Sequence, residues 1–202
     1  MISNENNAQL YALILCGGFS KRMQTDKFLI AYHNNVPQWL YLHNLLTPLV
    51  EHVFISCRND QVSAFDQQYA LIEDSIEGSS PSVGLLSAHK AHPEAAWLVI
   101  ACDLPLLTDQ SLQLLINERD PIKYATAFIS PENDLPEPLI AIWEPKGLAV
   151  LRENFESGFN CPRKTLINNN IKLISNQLPH EQLNANTPEE MDYVLKNWKV
   201  NS

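Results

Sequence analysis

Residues 13–27 read LILCGGFSKRMQTDK. An apolar run empties into Gly17 and Gly18, and Lys21, Arg22, Asp26 and Lys27 follow within ten residues. Glycines directly after a strand let the main chain approach a ligand closely and turn its N–H groups toward an anion. Arg22 adds a fork for phosphate oxygens and Lys27 a point charge. The stretch therefore reads as a polyphosphate cradle; its plainer reading is a tight turn with a solvated charge run. Two familiar cradles are excluded, because neither GxxxxGK[ST] nor GxGxxG is present.

The runs on either side give the fold. Short apolar segments at 11–15, 52–56, 70–73, 97–101, 124–130, 139–143 and 171–174 read as strands, several of them apolar on both faces as in a covered parallel sheet. Helical spacing separates them. Trp39, Leu42, Leu45 or Leu46, and Leu49 share a face after Pro37, and Val83, Leu86 and Lys90 share another after Pro81. Thr108 with Asp109 suits a cap for SLQLLINER. Thr187, Pro188 and Glu190 form a capping box for a last helix whose stripe is Met191, Val194 or Leu195, and Trp198. The acid- and proline-rich stretch 132–138 is expected to be a loop.

Alternating strands and helices predict an α/β fold, a doubly wound, mostly parallel, Rossmann-like sheet. The 202 residues suit a single domain over 1–202, with 1–9 a flexible N-terminus. A content of 45% hydrophobic residues supplies a large core. A net charge of -9 argues against a nucleic-acid or anionic-membrane surface. No run approaches a membrane span and MISNENNAQL lacks an apolar signal core, so a cytoplasmic protein is expected. Cys16, Cys57, Cys102 and Cys161 lie far apart without a CxxC pair, which favours free thiols, the first three in the core.

In such sheets ligands bind beyond the carboxyl ends of the strands. The first four strands there deliver Cys16-Gly17-Gly18, Ser56, Asp74 and Cys102-Asp103. Asp103, in IACDLPLL, follows a fully apolar run and is fixed by Pro105. A divalent ion explains that placement, since Mg2+ commonly joins one or two carboxylates to substrate phosphates. A loop salt bridge or a helix cap is the alternative.

LILCGGFSKRMQTDK resembles the (L)xGGxSxRMGxDK signature of the molybdenum cofactor guanylyltransferases, the MobA-like branch of the nucleotidyltransferases. IEDSIEGSSPSVG, CDLP and NANTPEE are similar, in order, to that family's IxD...GPxxG, CDxP and NxNTPEE segments. The resemblance spans nearly the whole chain. Gln24 and Ser80 stand where the family has glycine, and Ser56 where relatives often place asparagine.

The resemblance implies a nucleotidyltransferase that moves GMP from GTP to the terminal phosphate of molybdopterin carrying molybdenum and releases pyrophosphate. Leu15, Cys16 and Gly17 would then meet the nucleotide through the backbone, with Ser56 and Asp74 near its base or ribose. Gly18, Arg22 and Lys27 would hold phosphates, and Asp103 would ligate Mg2+. Lys27, Arg22 and Asp103 would carry the rate, while Asn184 and Asn186 would face the pterin substrate. Gly17-Gly18 favours GTP, because cytidylyl-transferring relatives often have Ala-Gly there. The alternatives are such a cytidylyltransferase, or a non-catalytic nucleotide- or cofactor-binding protein. Expected partners are the two substrates and, transiently, cofactor-delivery proteins; the expected assembly is a monomer or weak oligomer.

Two smaller features remain. Arg163 and Lys164 could meet an anionic acceptor and Cys161 a dithiolene, or the cations could simply be solvated on a short helix. His89 and His92 share a helix face and are expected to be surface residues rather than metal ligands.

Overall fold

The computed structural model describes residues 7–18 and 26–197. Lys21, Arg22, Gln24 and Trp198 lie outside the described residues. The strands are β1 (Leu10–Leu15), β2 (Val53–Cys57), β3 (Ala70–Glu73), β4 (Ala96–Ala101), β5 (Ala125–Ile129), β6 (Pro136–Trp143) and β7 (Lys172–Ile174). The helices are α1 (Gln38–Leu46), α2 (Ser82–Ala91), α3 (Asp109–Asn117), α4 (Pro145–Glu156), α5 (Pro162–Ile167) and α6 (Pro188–Asn197).

Among the described residues, seven strands form one sheet in the order β3-β2-β1-β4-β6-β5-β7. β1 pairs in parallel with β2 and β4, and the strand order reverses between β1 and β4. β6 is antiparallel to both its neighbours. This is the doubly wound, mostly parallel sheet that the alternating runs predict.

Alternation along each strand sends side chains to two cores. Ala12, Ile14, Leu98 and Ile100 face one side with Trp39, Leu42 and Leu46 of α1 and Leu112 and Leu115 of α3. Leu13, Trp97 and Val99 face the other with Leu85 and Leu86 of α2 and Leu148 and Leu151 of α4. Every residue of β4 is buried, as a central strand covered on both faces requires. Burying one such Leu or Val side chain stabilises by about 1.5–3 kcal/mol.

Several local expectations change. The segment 132–138 is a turn only as far as Leu135, and Pro136 to Pro138 already belong to β6. Proline is tolerated there because it opens the strand, beside a register shift between Ala127 and Ile129 of the partner. Lys90 does not join the stripe of α2 but is exposed at its end, whereas Ser82 through His89 are all buried. His89 is therefore a core residue and not a surface one, and burial lowers its pKa from the ordinary histidine value.

Thr108 precedes α3, but its side chain makes no cap bond to the helix. Its hydroxyl instead donates to the buried Glu181 at 2.6 Å, and its N–H donates to the same carboxylate at 2.9 Å. The capping box of α6 does form: Glu190 N–H donates to Thr187 Oγ1 at 3.2 Å and Thr187 N–H to Glu190 Oε2 at 3.0 Å. Val194 is the buried residue of its stripe and Leu195 is exposed. Of the expected flexible start, residues 1–6 lie outside the described residues, and the Ala8 and Gln9 carbonyls accept from Arg119 and from the Ala96 N–H. Cys16, Cys57 and Cys102 are buried, Cys161 is exposed, and all four are free. Among the described residues, no helix is long and apolar enough to cross a membrane.

Candidate active site

Gly17 and Gly18 leave β1, and Cys102 and Asp103 leave β4, so they flank the point where the strand order reverses. That crevice is where open α/β sheets bind ligands. A cavity of about 170 Å3 lies there. Leu15, Gly17 and Gly18 line it from β1, Ser56 and Arg58 from β2, Asp74 from β3, and Asp103 from β4. Lys27 and the entry to α2, including Pro81 and Gly84, close it.

Lys27 Nζ lies 3.2 Å from Asp103 Oδ2 and also donates to Asn186 Oδ1. Asn186 is held in turn by its N–H on Glu190 Oε2 at 2.7 Å, and the Ala185 N–H donates to the Asp103 carbonyl at 2.9 Å. The capping box of α6 thus fixes the segment that meets the carboxylate after β4. The other carboxylate oxygen, Asp103 Oδ1, is buried and has no hydrogen-bond partner among the described residues. A buried carboxylate oxygen without a donor is a costly arrangement, and a cation answers it. Among the described residues, no three His, Cys, Asp or Glu side chains group to hold a metal alone. One carboxylate suits Mg2+, which keeps waters and takes phosphate oxygens as further ligands; the residues present fit it.

Asp74 accepts from Ser56 Oγ at 3.3 Å. Burial raises its carboxyl pKa, against the opposing effects of the Ser56 bond and of Arg58. A Cβ at position 17 would lie 2.8 Å from Asp74 Oδ2, so glycine lets strand and carboxylate approach; at Gly18 no atom of the described residues lies within 4 Å of such an atom.

A second cavity of about 190 Å3 adjoins the first, and both share Ala101, Asp103 and Leu139. Glu137, Arg163, Gln182, Asn184 and Asn186 supply its polar side chains together with Asp103. Arg163 is not a solvated cation here: it pairs with Glu137 at 2.8 Å and donates to the Pro136 carbonyl at 3.1 Å. Lys164 and Cys161 are exposed and line neither cavity. A further groove of about 920 Å3 lies around Gln9, Tyr11 and Ala95, at the amino ends of β1 and β4, away from this chemistry.

Of the expected residues, Leu15, Gly17, Gly18, Lys27, Ser56, Asp74 and Asp103 meet around the first cavity, and Asn184 and Asn186 around the second. Cys16 does not reach the lining: its side chain is buried, its N–H donates to the Ser56 carbonyl, and its own carbonyl accepts from Gln61. Arg22 lies outside the described residues.

Sequence reasoning passes over Arg58, which lines the cavity and donates to Gly17 O at 2.8 Å. It also passes over three donors that hold the chain after Asp103. Gln38 Nε2 donates to Leu104 O at 3.0 Å, His33 Nε2 to Pro105 O at 2.6 Å, and Tyr41 Oη to Leu107 O at 2.9 Å. Burial lowers the His33 pKa, and the ring is stacked 3.6 Å from the Tyr41 ring.

The chain is similar to several known proteins. The "Molybdenum cofactor biosynthesis bifunctional protein" of Synechocystis sp. is 32% identical over 92% of this chain, which spans about half (53%) of that protein's length. The "Molybdenum cofactor guanylyltransferase" of Pseudomonas fluorescens is 27% identical over 94% of this chain and 95% of its own. In fold, the crystal structure of molybdopterin-guanine dinucleotide biosynthesis protein A from Archaeoglobus fulgidus matches with a TM-score of 0.75 and 18% identity, over 91% of this chain and 96% of that one. The MobA-like NTP transferase domain matches residues 12–166, a stretch that runs from within β1 to within α5 and includes both the glycine and the carboxylate end of the crevice, and the chain belongs to that family.

Proposed function

We propose that the chain is a guanylyltransferase that transfers GMP from GTP to the terminal phosphate of molybdopterin carrying molybdenum. The observation that carries this reading is the pair of cavities meeting at Asp103. One is bounded by the glycine turn and Lys27 and suits a nucleotide; the other is bounded by Asn184, Asn186 and Arg163 and suits a second, anionic substrate. An acceptor phosphate oxygen attacks the α-phosphorus of GTP, a new P–O bond forms, and the bond to the β-phosphate oxygen breaks. Pyrophosphate leaves with that electron pair. The attacking oxygen is already anionic, so no side-chain base is needed, and the work is positioning and charge neutralisation.

Lys27 supplies a fixed positive charge beside the phosphates, held in place by Asp103 and Asn186. Asp103 Oδ1 is the oxygen that would hold Mg2+, which when bound neutralises charge on the phosphates and the leaving group. Arg22, the next cation in the glycine stretch, is assigned to the phosphates from sequence alone. Glycine at 17 keeps Asp74 against the nucleotide wall, where it would meet base or ribose.

Thermal shifts with GTP, CTP and ATP, each with and without Mg2+, test the assignment, since a ligand that binds only the folded state raises apparent stability by mass action. GTP selectivity that depends on Mg2+ is expected. A preference for CTP would replace the reading with a cytidylyltransferase, and no nucleotide effect would remove it.

A further inference from the structure

We propose that Arg58 is a positioning residue for the triphosphate, holding the glycine turn and Asp26 together so that the turn's carbonyls face away from incoming phosphates. The inference rests on the nucleotide reading above but concerns a residue that reading does not use.

Arg58 directly follows β2, and its side chain is 16% exposed. Nη1 donates to Gly17 O at 2.8 Å and to Gly18 O at 3.4 Å. Nε and Nη2 grip the Asp60 carboxylate at 3.0 and 3.2 Å, and Nη2 lies 3.7 Å from Asp26 Oδ1. Gln61, buried in the same short 3-10 turn (Asn59–Ala64), doubles the tie. Its Nε2 donates to Cys16 O at 3.4 Å and to Asp26 Oδ1 at 3.2 Å, while its Oε1 accepts from the Arg58 N–H at 3.0 Å. One four-residue stretch therefore holds the described residues on both sides of positions 19–25, and Lys27 follows Asp26 directly.

The chemistry gives these bonds a purpose. A carbonyl turned into a phosphate cavity repels the ligand, whereas an N–H attracts it. In a planar trans peptide the two point in opposite directions, so pulling Gly17 O onto the guanidinium turns the Gly18 N–H away from it. Holding two carbonyls and two carboxylates at once needs the rigid fork of five arginine donors, which a lysine ammonium lacks. Because those donors are occupied by protein acceptors, Arg58 acts through the turn rather than by touching phosphate.

Calorimetric titration of guanosine, GMP, GDP and GTP with Mg2+ into wild type, Arg58→Met, Arg58→Lys and Gln61→Leu tests this. In wild type, affinity should climb as phosphates are added. In Arg58→Met, guanosine affinity should stay within about twofold while GTP affinity drops about tenfold or more, with little recovery in Arg58→Lys. Gln61→Leu, which keeps the arginine, should show the same pattern at smaller amplitude and carries the test if Arg58→Met fails to fold. An equal loss for all four ligands, or unchanged GTP affinity in a wild-type background that binds GTP, would overturn the inference. Absence of nucleotide binding by wild type would overturn the guanylyltransferase reading itself, and this inference with it.

Discussion

Gly84→Ala puts the crowding at the nucleotide wall to a quantitative test. Gly84 sits in the first turn of α2, where the helix meets β1 and β2. A Cβ built there lies 2.5 Å from Ser56 Oγ and 2.7 Å from Leu15 Cδ2, both inside contact limits. Alanine in a helix gains about 1 kcal/mol over glycine. Overpacking of this kind costs about 1–3 kcal/mol. The net loss is therefore about 0–2 kcal/mol, a fall in Tm of no more than several degrees at roughly 2–4 °C per kcal/mol for a chain this size. Function should suffer more. Ser56 is fully buried and bonded to Asp74, so the atom free to yield is the Leu15 tip, which lines the same 170 Å3 cavity. Differential scanning calorimetry paired with GTP titration should show a small Tm change with at least about a tenfold loss of affinity. A variant that is stabilised by the full helix gain and binds GTP like wild type would refute the close approach of α2 to the strand ends.

Two further outcomes follow from the ionisable groups. The Arg119–Glu144 pair is bidentate at 2.7 and 2.9 Å, with Glu144 only 3% exposed in its side chain, so Arg119→Met should cost about 3–5 kcal/mol in urea unfolding by stranding the buried carboxylate. Asp74 has its carboxyl raised above the ordinary 3.8, so the folded state holds that proton more tightly than the unfolded one, and wild-type stability falls as pH rises through the window above 3.8. Asp74→Asn removes that cost; denaturation curves should give the variant an advantage near neutrality that vanishes below the ordinary carboxylate range, and an advantage that grows on acidification would contradict the burial argument.

The strands were legible because apolar runs stop abruptly, at Gly17-Gly18 after β1 and at Cys102-Asp103 after β4, and the topology then forces both ends to one rim. Asn186 could be placed near the site from its motif, but not its grip on Lys27, which crosses 159 positions of chain. Arg58 carried no motif at all: its target carbonyls lie 41 and 40 positions earlier, and no local pattern marks such a pairing. Thr108 shows the opposite failure, a good local cap whose hydroxyl is taken by Glu181 across 73 positions. Pro136 and Pro138 disguised the start of β6, because propensity argues against proline in strands where a bulged partner permits it. Cys16 lies beside Gly17, and its N–H donates to the Ser56 carbonyl within the sheet, a pairing across 40 positions that no local pattern marks.

Pyrophosphate release from GTP in the presence of Mg2+ and molybdopterin carrying molybdenum, compared between wild type and Asp103→Asn, reaches the central claim most directly. The substitution keeps the size of the side chain and removes the charge that pairs with Lys27 and that would hold the ion. The pair is about one-fifth exposed, 20% and 19%, so urea unfolding of the variant is measured alongside to show that it folds. Wild type should release pyrophosphate in a Mg2+-dependent manner and the variant should lose about 100-fold or more, in keeping with removal of a group that acts on transition-state charge. A folded Asp103→Asn protein that releases pyrophosphate at a near wild-type rate would contradict it.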